Sequence, residues 1–312
     1  MATTTAPVAG TRTAAGTTFR RPRKGGGLTP WLFALPAIAV YVVFLVYPAF
    51  TSVFFSLTDW DGLSATYNIV GLQNYVAMLS DPVVLQAVIN NIIWTVVTIV
   101  FPVAIGLALA MLLNGKVRGK PILRLIFYTP AVLPLIAVAS IWGWLYNPQG
   151  GAINEFLRLI GLGGLAQPWL GQDSTALAAV MVPAIWLRVG FPMLLYLAAL
   201  QGIPQEMYEA ATVDGATRSQ QFWHITMPSL RPAHYIVLAL SLIDSFKVFD
   251  LIYAMTYGGP GTTTQVMGTW MYANVFQYYQ AGYGTAIAVT ITLVAIIVSI
   301  PYVRSQVKEH AR

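Results

Sequence analysis

An all-α membrane protein with six transmembrane helices is the fold that this sequence predicts. Charged residues make up only 9% of the 312 positions, hydrophobic residues make up 57%, and the mean hydropathy is +0.66. A soluble domain carries about 25% charged residues. A chain this poor in charge cannot cover a water-facing surface, so its main solvent must be lipid.

The apolar residues are concentrated in six long stretches, separated by polar or Gly/Pro-rich segments. Each stretch has about 19–26 residues. At a rise of 1.5 Å per residue, that length crosses a hydrocarbon core of roughly 30 Å. The stretches are residues 31–55, 88–113, 122–146, 176–200, 235–257 and 285–303.

The N-terminal segment, residues 1–29, is rich in Thr, Ala and Gly and carries four basic residues close to the first stretch. We expect it to be a disordered basic cytoplasmic tail. The first stretch is about twice as long as the apolar region of a signal peptide, which favours a retained span. An Arg-rich tail without acidic residues is also typical of a transit peptide, and that alternative stays open.

The distribution of Lys and Arg predicts that both termini lie in the cytoplasm. One set of segments holds nearly all the basic residues, whereas the opposite set holds only Arg158. Since cytoplasmic loops are enriched in Lys and Arg, the basic set lies inside and residues 30–312 form a six-span domain. The basic residues are Arg12, Arg20, Arg21, Arg23, Lys24, Lys116, Arg118, Lys120, Arg124, Arg218, Arg231, Arg304, Lys308 and Arg312.

One long cytoplasmic segment, residues 202–232, connects the fourth and fifth stretches. Pro204 suits the first turn of a helix, which good helix formers extend from residue 205 to 213. Gly215 predicts a break, and residues 219–225 predict a second short helix that stops before Pro228. The segment is thus a helix–turn–helix with small, aromatic and charged residues on its surface, as protein interfaces have.

This segment resembles the EAA loop of ABC importer membrane subunits. That family's pattern is Glu-Ala-Ala, three residues, Gly, nine residues, Ile, one residue and Leu-Pro. Every spacing fits, and the only departure is Met227 in place of Leu. The resemblance implies that the segment docks on a cytoplasmic ATPase and transmits its motion. The coupling residues are then Glu209, Ala210, Ala211, Asp214, Gly215, Ile225 and Pro228.

Four segments, one of which includes the start of the EAA loop, look like the maltose-type carbohydrate and glycerol-phosphate uptake permeases. They are FSLTDWDG (55–62), VGLQNYV (70–76), LQGIPQEMYEAATVDGA (200–216) and FDLIYAMTYGGPGTTT (249–264). The resemblance implies a type I ABC importer permease fold in the bacterial inner membrane and import of a sugar, with glycerol 3-phosphate or a polyol as alternatives. It also implies three partners: ATPase subunits, a second homologous permease, and an extracytoplasmic solute-binding protein.

The chain has no nucleotide-binding motif of its own. A P-loop requires GxxxxGK[ST], because backbone amides and a lysine must surround the phosphates. Gly115-Lys116 and Gly119-Lys120 lack both the upstream glycine and the following Ser or Thr. We therefore expect no cofactor on this chain, with ATP and Mg on the partner ATPase.

Besides Arg124, which lies just inside the third stretch, four ionisable residues lie within the apolar stretches, where each charge costs roughly 2.5–3.5 kcal/mol on insertion scales. Arg188 lies at about the depth of Asp244 and Lys247, counted from the cytoplasmic ends. One interpretation is a polar translocation surface, with aromatic rings that stack on sugars; the other is a charge network that locks two spans together. The candidate path residues are Arg188, Asp244, Lys247, Phe249, Asp250 and Tyr253.

Composition and motif content argue against other functions. The net charge of +6 lies in short runs beside apolar stretches, which does not suit nucleic-acid binding. Cysteine is absent and the three histidines are scattered, so no metal site is expected. A secondary transporter, the remaining alternative, usually has internal repeats and broken helices, and no repeat is visible in the sequence.

Overall fold

The computed structural model describes the backbone of residues 29–310 and the side chains of residues 32–300. Thr29 begins the first helix, and the rest of the predicted N-terminal tail lies outside the described residues, as do the side chains of Arg304 and Lys308. The α-helices within this range are α1 (Thr29–Tyr41), α2 (Tyr47–Phe55), α3 (Gln73–Ser80), α4 (Pro82–Asn114), α5 (Lys120–Tyr128), α6 (Leu135–Leu145), α7 (Ala152–Leu159), α8 (Ala176–Arg188), α9 (Gly190–Gln201), α10 (Gln205–Val213), α11 (Arg218–Gln221), α12 (Met227–Ser229), α13 (Arg231–Phe246), α14 (Asp250–Thr256), α15 (Met267–Phe276) and α16 (Ala281–His310).

Among the described residues, four helical segments are long and apolar enough to cross a membrane. They coincide with the first, second, fourth and sixth predicted stretches and confirm that those stretches are helices of spanning length. The count of six spans and the orientation of the termini stay predictions. The segments are Leu32–Phe55, Pro82–Asn114, Ala176–Gln201 and Ala281–Ile300.

The third predicted stretch is bent. Lys120–Val132 and Leu135–Leu145 meet at 101°, so residues 122–146 are not one straight helix. Leu133, which precedes Pro134, has extended backbone with ψ 140°. Proline disfavours helical backbone in the residue before it, so Pro134 accounts for the bend.

The fifth predicted stretch, residues 235–257, is interrupted. α13 ends at Phe246 and α14 begins at Asp250, and these helices have 16 and seven residues. Phe249, between them, has φ −154°. The break contains neither glycine nor proline, so hydropathy and the usual breaker residues gave no signal of it.

The chain divides into two compact units between Ala49 and Phe50. The first unit contains α1, a π-helical turn (Val42–Val46) and the first residues of α2. The second unit contains all the later helices and three buried apolar clusters of the described residues. The first includes Trp94, Val138, Val180 and Ile252, and the second includes Leu113, Tyr196, Leu200, Leu230 and Val237. The third consists of Met78, Val84, Ala87, Met267 and Ile287.

Helix α4 contributes residues to all three clusters. Asp81 caps its start by accepting a hydrogen bond from the Val83 amide at 2.8 Å, and Pro82 occupies the first turn. At 1.5 Å per residue its 33 residues extend about 50 Å. Gly106 lets α9 approach closely: a Cβ at this position would lie 2.8 Å from the Pro192 Cβ and 2.9 Å from the Met193 nitrogen.

Two asparagines of α4 hold the segment before α15. Asn90 Nδ2 donates to the backbone oxygens of Thr263 at 2.8 Å and Gln265 at 2.7 Å. The Met267 amide donates to Asn91 Oδ1 at 2.8 Å. Both asparagines are therefore polar groups that join packed elements.

We expect Asn90→Leu to destabilise the folded protein by about 1–3 kcal/mol, because it leaves two backbone acceptors without their donor. Asn90 is 1% exposed, so water cannot replace the lost bonds. The check is the thermal unfolding midpoint of the purified protein in detergent. Asn114→Leu, at the exposed end of the same helix, is the control; an equal loss in both variants would contradict this role.

Candidate functional site

The segment that carries the EAA pattern begins as predicted. Pro204 precedes α10, which spans Gln205–Val213. Gly215 then reverses the chain with φ +78°, a backbone conformation that glycine adopts readily and that costs other residues about 1–2 kcal/mol. The predicted helix and the predicted break are both confirmed.

The second half of the segment differs from the prediction. It begins at Thr217, whose hydroxyl accepts from the Gln220 amide while the Gln220 side chain accepts from the Thr217 amide. The helix then widens into a π turn over Phe222–Thr226 and continues through Pro228 into α12. The prediction that it stops before Pro228 is wrong, because the π turn accommodates the missing amide and the proline ring.

Side-chain hydrogen bonds hold the two halves together. The hydroxyl of Tyr208 on α10 lies 2.9 Å from Thr226 Oγ1, and Gln221 Nε2 donates to Thr212 Oγ1 at 3.0 Å. These four residues had no assigned role in the sequence. The Thr-x-x-Gln capping pattern at residues 217–220 is a sequence signal for the second helix. No sequence pattern predicts the hydrogen bond between Tyr208 and Thr226.

Most of the predicted coupling residues face outward. Ala211 and Ile225 are half-buried, and the other five are exposed: Glu209, Ala210, Asp214, Gly215 and Pro228. Two apolar side chains beside them are also exposed, Val213 by 88% and Trp223 by 60%.

The base of this segment is fixed to the bundle. Leu230, directly after α12, is fully buried in the cluster that contains Leu113 and Leu200. The segment therefore combines an exposed apolar and acidic surface with a rigid attachment to α4 and α9.

The intramembrane charges are only partly brought together. Arg188, at the end of α8, donates to Asp244 Oδ2 of α13 at 3.2 Å, which agrees with their predicted equal depth. The Arg188 guanidinium also lies 6.0 Å from the centroid of the Trp94 ring. The side chains of Arg188 and Asp244 are 24% and 60% exposed.

Lys247 and Asp250 lie at the break between α13 and α14, so they do not continue the helix that carries Asp244. Both are exposed, and neither forms an ion pair with another residue of the described chain. Asp250 occupies the first turn of α14, where a negative charge is favourable. Val248 between them is buried against the cluster of Trp94 and Ile252, and this packing fixes the break.

The predicted aromatic residues form part of a larger group. Phe249 and Tyr253 stack with ring centroids 5.0 Å apart and an interplanar angle of 15°. Tyr272 of α15 packs edge-on against Tyr253 at 5.0 Å and touches Phe276 at 4.8 Å. No sequence pattern assigns a role to Tyr272 and Phe276, because they follow the break by more than 20 residues.

The arrangement of the EAA segment, the charged residues and the aromatic group suits transport and not catalysis. Its ionisable groups are one ion pair, one lysine and one aspartate beside an aromatic group, and among the side chains of residues 32–300 no three His, Cys, Asp or Glu residues are grouped to hold a metal ion. An exposed segment that is rigidly attached at its base is suited to receiving motion from another protein.

Comparison with known families distinguishes a transport subunit from an enzyme. Residues 101–306 match the model of the family described as "Binding-protein-dependent transport system inner membrane component". The chain belongs to this family. It is therefore a multi-pass inner-membrane permease subunit and not an enzyme, as its resemblance to the ABC importers implied.

Curated relatives match the permease over nearly its whole length. The "Probable ABC transporter permease protein YurN" of Bacillus subtilis is 38% identical over 275 residues, which cover 88% of this chain and 94% of the relative. The "Trehalose/maltose transport system permease protein MalF" of Thermococcus litoralis is 33% identical over 283 residues and 94% of its length.

A solved structure supports the same fold. A chain of a bacterial ABC transporter that imports the acidic polysaccharide alginate has a TM-score of 0.77 with this permease at 24% identity, covering 90% of this chain and 95% of that one. At this identity the likeness establishes the permease fold and leaves the solute open.

Proposed function

We propose that this permease forms the translocation path for a sugar and is driven by a separate ATPase that docks on residues 202–232. The observation that carries the proposal is the exposed EAA segment: its motif spacing is complete, five of its seven coupling residues are exposed, and its base is fixed to α4 and α9. ATP and Mg then belong to the partner, because this chain has no P-loop.

The relatives support a sugar as the solute. Besides the trehalose/maltose permease, they include the "Multiple sugar-binding transport system permease protein MsmF" of Streptococcus mutans, which is 34% identical over 270 residues. A permease for glycerol 3-phosphate or a polyol remains the alternative solute assignment.

The mechanism that follows is alternating access. ATP binding closes the ATPase dimer, and the segment from Glu209 to Pro228 moves with it. The transmembrane helices then rotate and open a central cavity outward. A solute delivered by an extracytoplasmic binding protein enters, and it leaves on the inside after hydrolysis. A second, homologous permease subunit would complete the path.

Within this path the charged groups have different roles. The Arg188–Asp244 pair joins α8 to α13 and is neutral as a unit, so it supports a structural role. Lys247 and Asp250 are exposed without ion partners, and Phe249 and Tyr253 lie beside them. These four residues are therefore the better candidates for contact with sugar hydroxyls and ring faces.

The test is reconstitution of the permease with its ATPase, second permease and binding protein in proteoliposomes. We expect sugar uptake that requires ATP inside the vesicles, and ATPase activity that rises when the loaded binding protein is added. Uptake by this chain alone under an ion gradient, without ATP, would instead identify a secondary transporter.

A further inference from the structure

A cavity of about 600 Å³ lies where the segment after α2 meets α15 and the start of α16. Its size falls within the range of roughly 300–1,000 Å³ that small-molecule sites occupy. Its lining consists of five aromatic residues, three carboxamides, two carboxylates and one alanine, and contains no lysine, arginine or histidine.

The cavity and the EAA segment lie at opposite ends of α4. Asp81, which caps the start of α4, lines the cavity, whereas Asn114 at the other end lines a second cavity together with Tyr208 of the EAA segment. The 33 residues between these ends span about 50 Å. If the EAA segment is cytoplasmic, the first cavity opens at the outer face.

The two carboxylates of the cavity are fixed. Asp81 accepts from Tyr283 at 2.7 Å and from Trp270 Nε1 at 3.1 Å, and Asp59 accepts from the Asn68 amide and side chain. Burial raises the pKa of Asp81, but these hydrogen bonds outweigh it and the net pKa is lowered. Hydrogen bonds from Asn68 likewise lower the pKa of Asp59. Both groups are negative at neutral pH and repel anions.

Other polar groups of the cavity are available to a ligand. Asn74 donates through Nδ2 to two backbone oxygens, and its Oδ1 accepts nothing from the described residues. The Gln280 side chain and the Tyr278 hydroxyl form no hydrogen bond within the described chain either. A carboxamide both donates and accepts, as a sugar hydroxyl does. Tyr278 and Trp270, 5.7 Å apart, add aromatic surface for the C–H face of a sugar ring.

We propose that this cavity is a receiving site for neutral sugar units at the outer mouth of the permease. The inference rests on the proposed function and narrows the transported solute to uncharged sugars. Uncharged hydroxyl-rich ligands match the aromatic and carboxamide lining. Acidic sugars and glycerol phosphates meet two fixed negative charges and no cation.

The test is direct binding to the assembled importer in detergent without its binding protein, measured by saturation-transfer difference NMR. The probes are trehalose, maltose and diacetylchitobiose as neutral sugars, and a mannuronate disaccharide as the acidic one. We expect saturation transfer to at least one neutral sugar and none to the acidic one. Gln280→Ala and Tyr278→Ala should each weaken that binding about fivefold, the effect of one lost hydrogen bond.

Gln277→Ala is the matched control, because Gln277 is also an exposed glutamine, three residues away and outside the cavity. Equal weakening in Gln277→Ala, preference for the acidic sugar, or absence of any neutral sugar binding would overturn the inference. So would variants that keep sugar binding but lose capture of the binding protein, which would make this surface a docking site. ATP-driven uptake of an acidic sugar would overturn this inference alone, whereas absence of ATP-driven sugar uptake would overturn the proposed function.

Discussion

Gly215→Val is expected to abolish coupled transport while the protein still inserts into the membrane. Gly215 has φ +78°, and a β-branched residue there is strained by at least about 1–2 kcal/mol. The turn relieves this strain by changing the angle between α10 and α11, which removes the surface proposed to dock on the ATPase. Uptake and the stimulation of ATPase activity should both fall more than tenfold, measured in proteoliposomes at equal protein content.

The chain offers a close control for this variant. Gly119, at the start of α5, has φ +77°, and no atom lies within 4 Å of a Cβ added at either glycine. Gly119→Val therefore introduces the same backbone strain outside the EAA segment and should retain uptake. Gly215→Asn should also retain most activity, because asparagine tolerates left-handed backbone. Normal uptake in Gly215→Val, or equal loss in Gly119→Val, would contradict the coupling role.

Breaking the Arg188–Asp244 pair is expected to lower the thermal unfolding midpoint by about 4–5 °C. Arg188→Leu leaves Asp244 without its cationic partner, at a cost of roughly 2.5–3.5 kcal/mol on insertion scales. With an unfolding entropy of about 2.1 cal/mol/K per residue, each kcal/mol shifts the midpoint of a 312-residue protein by about 1.5 °C. Asp244→Leu should destabilise the protein less than Arg188→Leu does, because the Trp94 ring and the Ala184 carbonyl still face the Arg188 guanidinium.

The double variant Arg188→Leu/Asp244→Leu separates the two roles of this pair. Since it removes both charges, we expect it to recover the midpoint and also the uptake rate, as a structural lock predicts. Recovery of the midpoint without recovery of uptake would instead place the pair on the solute path. Arg158→Leu is the control, because it breaks an exposed ion pair with Glu155 that is worth less than about 1 kcal/mol.

Local signals explain what the sequence could predict of the site. Pro204, a run of good helix formers and Gly215 define α10 and its turn, because each acts on its own stretch of backbone. Counting residues placed Arg188 at the depth of Asp244, since the rise of a helix is constant.

Long-range packing explains what the sequence could not predict. The break at Lys247 is set by Val248, which is buried in a cluster with residues from α4, α6 and α8. No sequence pattern within residues 235–257 predicts that contact. The broken helices also weaken one criterion used against secondary transporters, so the family match, and not helix continuity, excludes that class.

The contact between Gly106 and α9 gives α4 two unequal arms. Gly106 is 24 residues from Pro82 but only eight from Asn114, so the arms measure about 36 Å and about 12 Å. If the helix pivots where the backbones touch, a displacement of about 1 Å at the short end moves the long end by about 3 Å. The crossing point would then act as a fulcrum, and a small push at the EAA segment would be amplified threefold at the opposite mouth.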